Sequence, residues 1–207
     1  WKPDRKGDYE MWLEMEHRRP DWLSRGFLFA MSNDGRVLRR LTDAMDLGGF
    51  DLRAGRILFS SSEAIDYYPW SRNTIHLMDL ADGSIREIGV YERSVSSLTW
   101  LDDGHALLAS QNSPYDDGDP VNYYQTGLYR LTLKDGGLEP LTRDRSFTIG
   151  LDVIYTRQLS PAIQVLPDGS VCFLVTENGA GRVYRLSGSN VNPVETPGGM
   201  VQGFRIT

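Results

Sequence analysis

Between Gly127 and Thr142 polar and apolar positions alternate. Leu128, Arg130 and Thr132 fall on one side, and Tyr129, Leu131 and Leu133 fall on the other. Period two is what a β-strand produces, because successive side chains leave opposite faces. Asp135-Gly136-Gly137 then interrupts the pattern with residues that tolerate positive φ, and Leu138 to Thr142 resumes it. The stretch predicts a tight β-hairpin.

The same form recurs along the chain. Phe27–Thr42 turns at Asn33-Asp34-Gly35, and the segment 74–89 turns at Ala81-Asp82-Gly83. A degraded copy over 182–196 turns at Ser187-Gly188-Ser189-Asn190. A second hairpin type lies between these copies: Phe50–Ser60 around Ala54-Gly55, Leu98–Ser110 around Asp102-Asp103-Gly104, and Ile163–Val175 around Pro167-Asp168-Gly169. The two types alternate, so each unit is four short antiparallel strands in about 50 residues, the sequence signature of a β-propeller blade. A β-sandwich with coincidental Asp-Gly turns accounts less well for copies that agree in turn chemistry, order and spacing.

This reading gives one all-β segment of about four blades, a partial propeller. A partial first blade covers 1–46, full blades cover 47–94, 95–160 and 161–198, and 199–207 opens another inner strand. Within the first blade, 9–16 alternates as a strand (Tyr9, Met11, Leu13 and Met15 on one side), and no innermost strand is present. The chain therefore reads either as a closed four-bladed ring sealed by strand exchange or as an open arc of a larger ring.

Composition narrows the partners. A net charge of −6 disfavours nucleic acid and anionic membrane surfaces, and no apolar run reaches the roughly 18 residues that a membrane helix needs. No signal-peptide pattern opens the chain, which suggests a cytoplasmic location, and the start at Trp1 suggests a piece cut from something longer. The single cysteine, Cys172, stands in an apolar strand and reads as a buried, inert thiol.

Catalytic chemistry is not apparent. No Gly-x-Ser-x-Gly elbow occurs. His17, His76 and His105 are far apart and off metal-ligand spacing. The acidic run Asp116-Asp117-Gly118-Asp119 lacks the register and terminal Glu of an EF-hand and reads as a solvated loop. No glycine-rich phosphate loop precedes a helix, and neither a cofactor nor a metal is expected. The residues suited to touching a substrate or partner are aromatic: Tyr67, Tyr68 and Trp70 in the connection 63–73, and Tyr123 and Tyr124 in the insertion 111–125.

The pattern Leu128-Tyr129-Arg130-Leu131, Asp135-Gly136-Gly137, Glu139-Pro140-Leu141-Thr142 resembles the propeller repeats of the prolyl oligopeptidase family, acylaminoacyl-peptidase-like members above all. Leu166-Pro167-Asp168-Gly169-Ser170-Val171 and the ending Arg39-Arg40-Leu41-Thr42-Asp43 are similar to that family's strand pairs and blade endings. The same motifs occur in TolB-type and tricorn-type propellers. The resemblance implies part of a seven-bladed propeller packed on an α/β-hydrolase domain that carries the catalytic triad and is absent from this chain. It implies a non-catalytic role, gating the access of short or N-acylated peptides. None of that family's catalytic residues has a matching position here. The rival expectation is a stand-alone TolB-like propeller that mediates protein–protein contact. A half-propeller also exposes blade faces and strand edges, so self-association is expected.

Overall fold

The computed structural model describes residues 25–31, 35–36, 38–43, 45–64, 71–111, 125–143, 145–150, 161–196 and 199–206. The described residues are all β, with no helix among them. The first hairpin pairs β2 (Phe29–Met31) with β3 (Leu38–Arg40). The next sheet runs in the order β4 (Met45–Arg53), β5 (Arg56–Ala64), β6 (Ser71–Asp79), β7 (Ile85–Tyr91). A two-residue strand, β1 (Arg25–Gly26), pairs with the start of β4. The third sheet is β8 (Val95–Trp100), β9 (His105–Gln111), β10 (Thr126–Thr132), β11 (Leu138–Pro140). In the last sheet β14 (Val171–Glu177) pairs with β15 (Ala180–Ser187), and β15 with β16 (Asn190–Pro193).

Each full sheet is thus a four-strand antiparallel meander, as the repeat implies. The repeat glycines show why the turns close. Gly35, Gly83, Gly136 and Gly188 have φ of 71°, 76°, 75° and 60°, where a Cβ is unfavourable. The Asp102–Gly104 turn works differently. Asp102 Oδ1 accepts from Gly104 N at 2.7 Å and lies 2.9 Å from His105 Nδ1, and Gly104 needs no positive φ.

The sheets stack face to face in chain order. Leu28 of the first hairpin packs with Ile57, Phe59 and Met78 of the second sheet. Leu58 and Ile75 on that sheet's other face pack with Leu98, Trp100, Leu108 and Leu131 of the third. Leu107, Ala109 and Leu128 then meet Phe147, Phe173, Val175 and Tyr184. The third sheet is therefore buried on both faces, and for that reason β9 reads as an apolar run instead of alternating; β14 does so because the segment 199–206 covers its other face. Radially stacked four-strand sheets define a β-propeller.

The inner position of the last sheet is split. β12 (Thr148–Ile149) and β13 (Ile163–Val165) both pair with β14, the first at Val175–Thr176 and the second at Val171–Phe173. The segment 199–206 joins no sheet. Val201, Phe204 and Ile206 lie against the buried Cys172, Leu174 and Val183 on the far face of the last sheet, where the inner strand of a following blade belongs. Among the described residues it pairs with no strand of the first hairpin, the arrangement expected of an open arc.

Candidate functional site: the inner strands and the long-connection rim

The inner strands meet through side chains, not through a ladder. A Cβ on Gly49 would stand 3.3 Å from Leu98 N, so the glycine lets β4 approach β8 closely. Two residues on, Asp51 Oδ2 accepts hydrogen bonds from Trp100 N (2.8 Å) and Thr99 Oγ1 (3.2 Å), while Trp100 Nε1 donates to Asp51 O at 3.2 Å. At the strand ends Arg53 Nε pairs with Asp103 at 3.2 Å, and the Arg56 guanidinium lies 5.1 Å from the Trp100 ring. Contacts that advance together along both strands mean that β4 and β8 run in the same direction, as the inner strands of successive blades do.

Beside this joint, Asp51, Leu52, Thr99, Trp100, Ile163 and Gln164 line a cavity of about 330 Å³. Three successive blades thus contribute their innermost strands to one axial cleft. A second cavity of about 760 Å³ lies between β13 and the segment 199–206. Gln164 borders both. Its amide donates to Ile206 O at 2.6 Å and accepts from Ile206 N at 3.1 Å, imitating one rung of a β-ladder.

Among the described residues the polar groups of the cleft are engaged in joining blades, and no acid–base pair lines it. Ser61 Oγ does lie 2.9 Å from His76 Nε2. That ring, however, stacks on Phe59 at 4.8 Å, and burial lowers its pKa from 6.5 against the opposing pull of Glu87. Such a pair, held between the first hairpin and the second sheet, is a packing contact. Burial pushes the Cys172 thiol up, with Arg185 opposing, which makes it inert. Among the described residues no group of three His, Cys, Asp or Glu could hold a metal ion, and no helix is long and apolar enough to cross a membrane.

The expected contact residues Tyr67, Tyr68, Trp70, Tyr123 and Tyr124 lie outside the described residues, as does the acidic run 116–119. The strands that bracket them are described. β5 ends at Ala64 and β6 begins at Ser71, while β9 ends at Gln111 and β10 begins at Thr126. In antiparallel meanders whose inner strands run the same way, these four strand ends lie on one rim, opposite the Asp-Gly turns. There Arg72 pairs with Glu63 (3.6 Å) and Glu92 (3.2 Å), and Asn73 Nδ2 donates to Arg93 O at 2.8 Å. The buried Arg93 guanidinium lies 4.9 Å from the Tyr129 ring.

Two atoms on this rim were not foreseen. Ser71 Oγ and Gln125 Oε1 are buried without a hydrogen-bond partner. Each belongs to the first residue after one of the two aromatic-bearing segments. An unsatisfied buried polar atom is costly, so it marks a place where a partner group belongs. The only signal in the sequence is a polar residue opening an apolar strand.

Comparison with solved structures places this geometry. The chain superimposes on a Mycobacterium tuberculosis puromycin-hydrolysing peptidase with a TM-score of 0.57 at 15% identity, covering 81% of this chain and 25% of that one. It matches the β-propeller domain of the trilobed protease of Pyrococcus furiosus, described as having an open velcro topology, with a TM-score of 0.56 at 14% identity, covering 84% and 47%. It matches a TolB of Agrobacterium tumefaciens with a TM-score of 0.52 at 14% identity, covering 82% and 56%. The fold is a β-propeller, and a protease's propeller domain is among the structures it matches, which bears out the resemblance at the level of the fold. The chain spans about a quarter to just over half of the length of these proteins. No family model matches the sequence, and no curated protein matches it.

Proposed function

We propose that this chain is a non-catalytic propeller portion of a serine peptidase of the prolyl oligopeptidase family. In this reading it limits which peptides reach a hydrolase domain carried elsewhere in the protein, and short or N-acylated peptides are the substrates. The observation that carries the reading is the axial cleft, built by β4, β8 and β13 from three successive blades. A passage between inner strands can sort molecules by girth without any reactive group, and the polar side chains here are committed to Asp51–Trp100 and Arg53–Asp103 contacts. The likeness to two peptidase propellers supports the same reading at the level of fold. Incubating the purified chain with N-acyl peptide and peptide-ester substrates tests it. The expected result is no turnover above the solvent blank. Turnover that persists through repurification overturns the non-catalytic role.

A second reading is a propeller that binds another protein, favoured by the TolB likeness and by the two unpartnered acceptors on the long-connection rim. It predicts that Trp70→Ala and Tyr124→Ala each weaken capture of a protein partner and leave the fold unchanged.

A further inference from the structure

We infer, building on the peptide-gating reading, that the cavity between β13 and the segment 199–206 binds short peptides with a blocked amino end, and that Arg205 pairs with their terminal carboxylate.

The cavity holds about 760 Å³, within the ~300–1,000 Å³ usual for small-molecule sites. On one side is β13, which pairs with β14, and on the other is the segment that packs on the far face of the same sheet. The inner strands of a propeller surround its central channel, and Ile163 and Gln164 border both this cavity and the axial cleft. A molecule in the channel therefore has access to the cavity. The walls are already fixed. Val201, Phe204 and Ile206 pack on Cys172, Leu174 and Val183, and the Gln164 amide bridges to both backbone groups of Ile206.

The chemistry of the lining is one-sided. Ile163, Met200 and Phe204 give apolar surface, and Gln164 and Gln202 give neutral amides. Arg205 is the charged residue of the lining, which contains no Asp or Glu. Its side chain is exposed, and among the described residues no carboxylate pairs with it. Arg53, Arg130 and Arg185, by contrast, pair with Asp103, Glu139 and Asp168. A guanidinium keeps its charge at any working pH and takes a carboxylate through two parallel N–H donors. A peptide with a free amino end would bring an ammonium that finds no counter-charge in this lining. Acylation removes that ammonium and leaves the terminal carboxylate as the backbone's charge. An apolar last side chain then has Ile163, Met200 and Phe204 to lie against.

Titrating the isotope-labelled chain with N-acetyl-alanyl-phenylalanine, its C-terminal amide and the unblocked dipeptide tests the site by nuclear magnetic resonance. The N-acetyl acid should shift the Gln164 side-chain amide and the backbone amides of Phe204 and Arg205. It should bind about fivefold more tightly than the amide, the upper end for an exposed ion pair, and also more tightly than the unblocked dipeptide. Added salt should shrink the preference for acid over amide. Arg205→Gln should abolish it, and Arg205→Lys should keep part of it. If Arg205→Gln loses its β circular dichroism, Gln202→Glu replaces it, adding a carboxylate that repels the acid and not the amide. Equal binding of acid and amide, equal binding of blocked and unblocked acid, shifts confined to other residues, or a preference that survives Arg205→Gln overturns the site. The two readings fail separately, because hydrolysis of the peptide overturns the non-catalytic role, whereas equal binding of acid and amide overturns only the role of Arg205.

Discussion

Thr142 accepts a hydrogen bond through Oγ1 from the backbone N–H of Leu128 at 2.9 Å, and Thr42 does the same for Leu28 at 3.0 Å. Both threonines are buried. In each hairpin the preceding leucine also donates its backbone N–H to the same residue, Leu141 to Leu128 and Leu41 to Leu28, both at 2.8 Å. The Leu-Thr that ends these two repeats is thus a clamp, closing the outer strand and satisfying a backbone donor that the ladder no longer reaches. Thr142→Val keeps the shape and strands that donor. It should cost about 1–3 kcal/mol, with Thr142→Ser restoring most of the loss, as read by urea denaturation.

Two turn glycines with the same φ should differ in tolerance. Gly83 (φ 76°) faces open space, so Gly83→Ala carries only the left-handed strain of about 1–2 kcal/mol. Gly136 (φ 75°) lies beneath the preceding blade, and a Cβ there would stand 2.5 Å from Ile88 O. Tyr91 Oη also donates to Gly136 O at 2.7 Å, and burial of that phenol pushes its pKa up to about 12. Gly136→Ala should therefore cost clearly more than Gly83→Ala in matched thermal melts. Equal losses would mean that the two blades do not meet there.

Asp51 ties β4 to β8 by charge-assisted bonds from Trp100 N and Thr99 Oγ1. Asp51→Ala should destabilise by about 2–3 kcal/mol. It should also speed amide exchange at Trp100, whose N–H loses its acceptor, while Leu107 in the next strand stays protected. Unchanged exchange at Trp100 would count against the joint.

His76 gives a pH signature whose sign is determined by burial. Its pKa is lowered in the folded state, so the unfolded chain binds the proton more tightly. The stability it contributes is complete above about 6.5 and is lost as pH falls from there through the folded value. Chemical denaturation at several pH values between 5 and 7.5 should show stability falling with pH, and the slope should flatten in His76→Gln. The carboxylates of Asp82, Asp102 and Asp168, held below the usual carboxylate range, change only at lower pH.

The blade pattern was legible because it is local. Alternation and turn glycines act over a few residues, and Gly35, Gly83, Gly136 and Gly188 all take the conformation that their neighbours call for. The blade ending Arg39-Arg40-Leu41-Thr42 was visible as a motif, although its physical reason, the Thr42–Leu28 bond, appears only in three dimensions. The joints were not legible. Asp51 and Trp100, or Gln164 and Ile206, lie more than 40 positions apart and meet only once the sheets have stacked. The split inner strand of the last sheet escaped notice because β12 has only two residues, too few to carry a period. The buried acceptors of Ser71 and Gln125 have no pattern of their own in the sequence.

The most direct test of the propeller arrangement is a nuclear Overhauser spectrum of the isotope-labelled chain, read between β4 and β8. Inner strands of successive blades predict a cross-peak from the Gly49 α protons to the Leu98 amide and another from Asp51 to the Trp100 amide, with no antiparallel ladder of backbone cross-peaks joining the two strands. Such a ladder between β4 and β8, or no contact at all, would contradict the stacking of one blade upon the next.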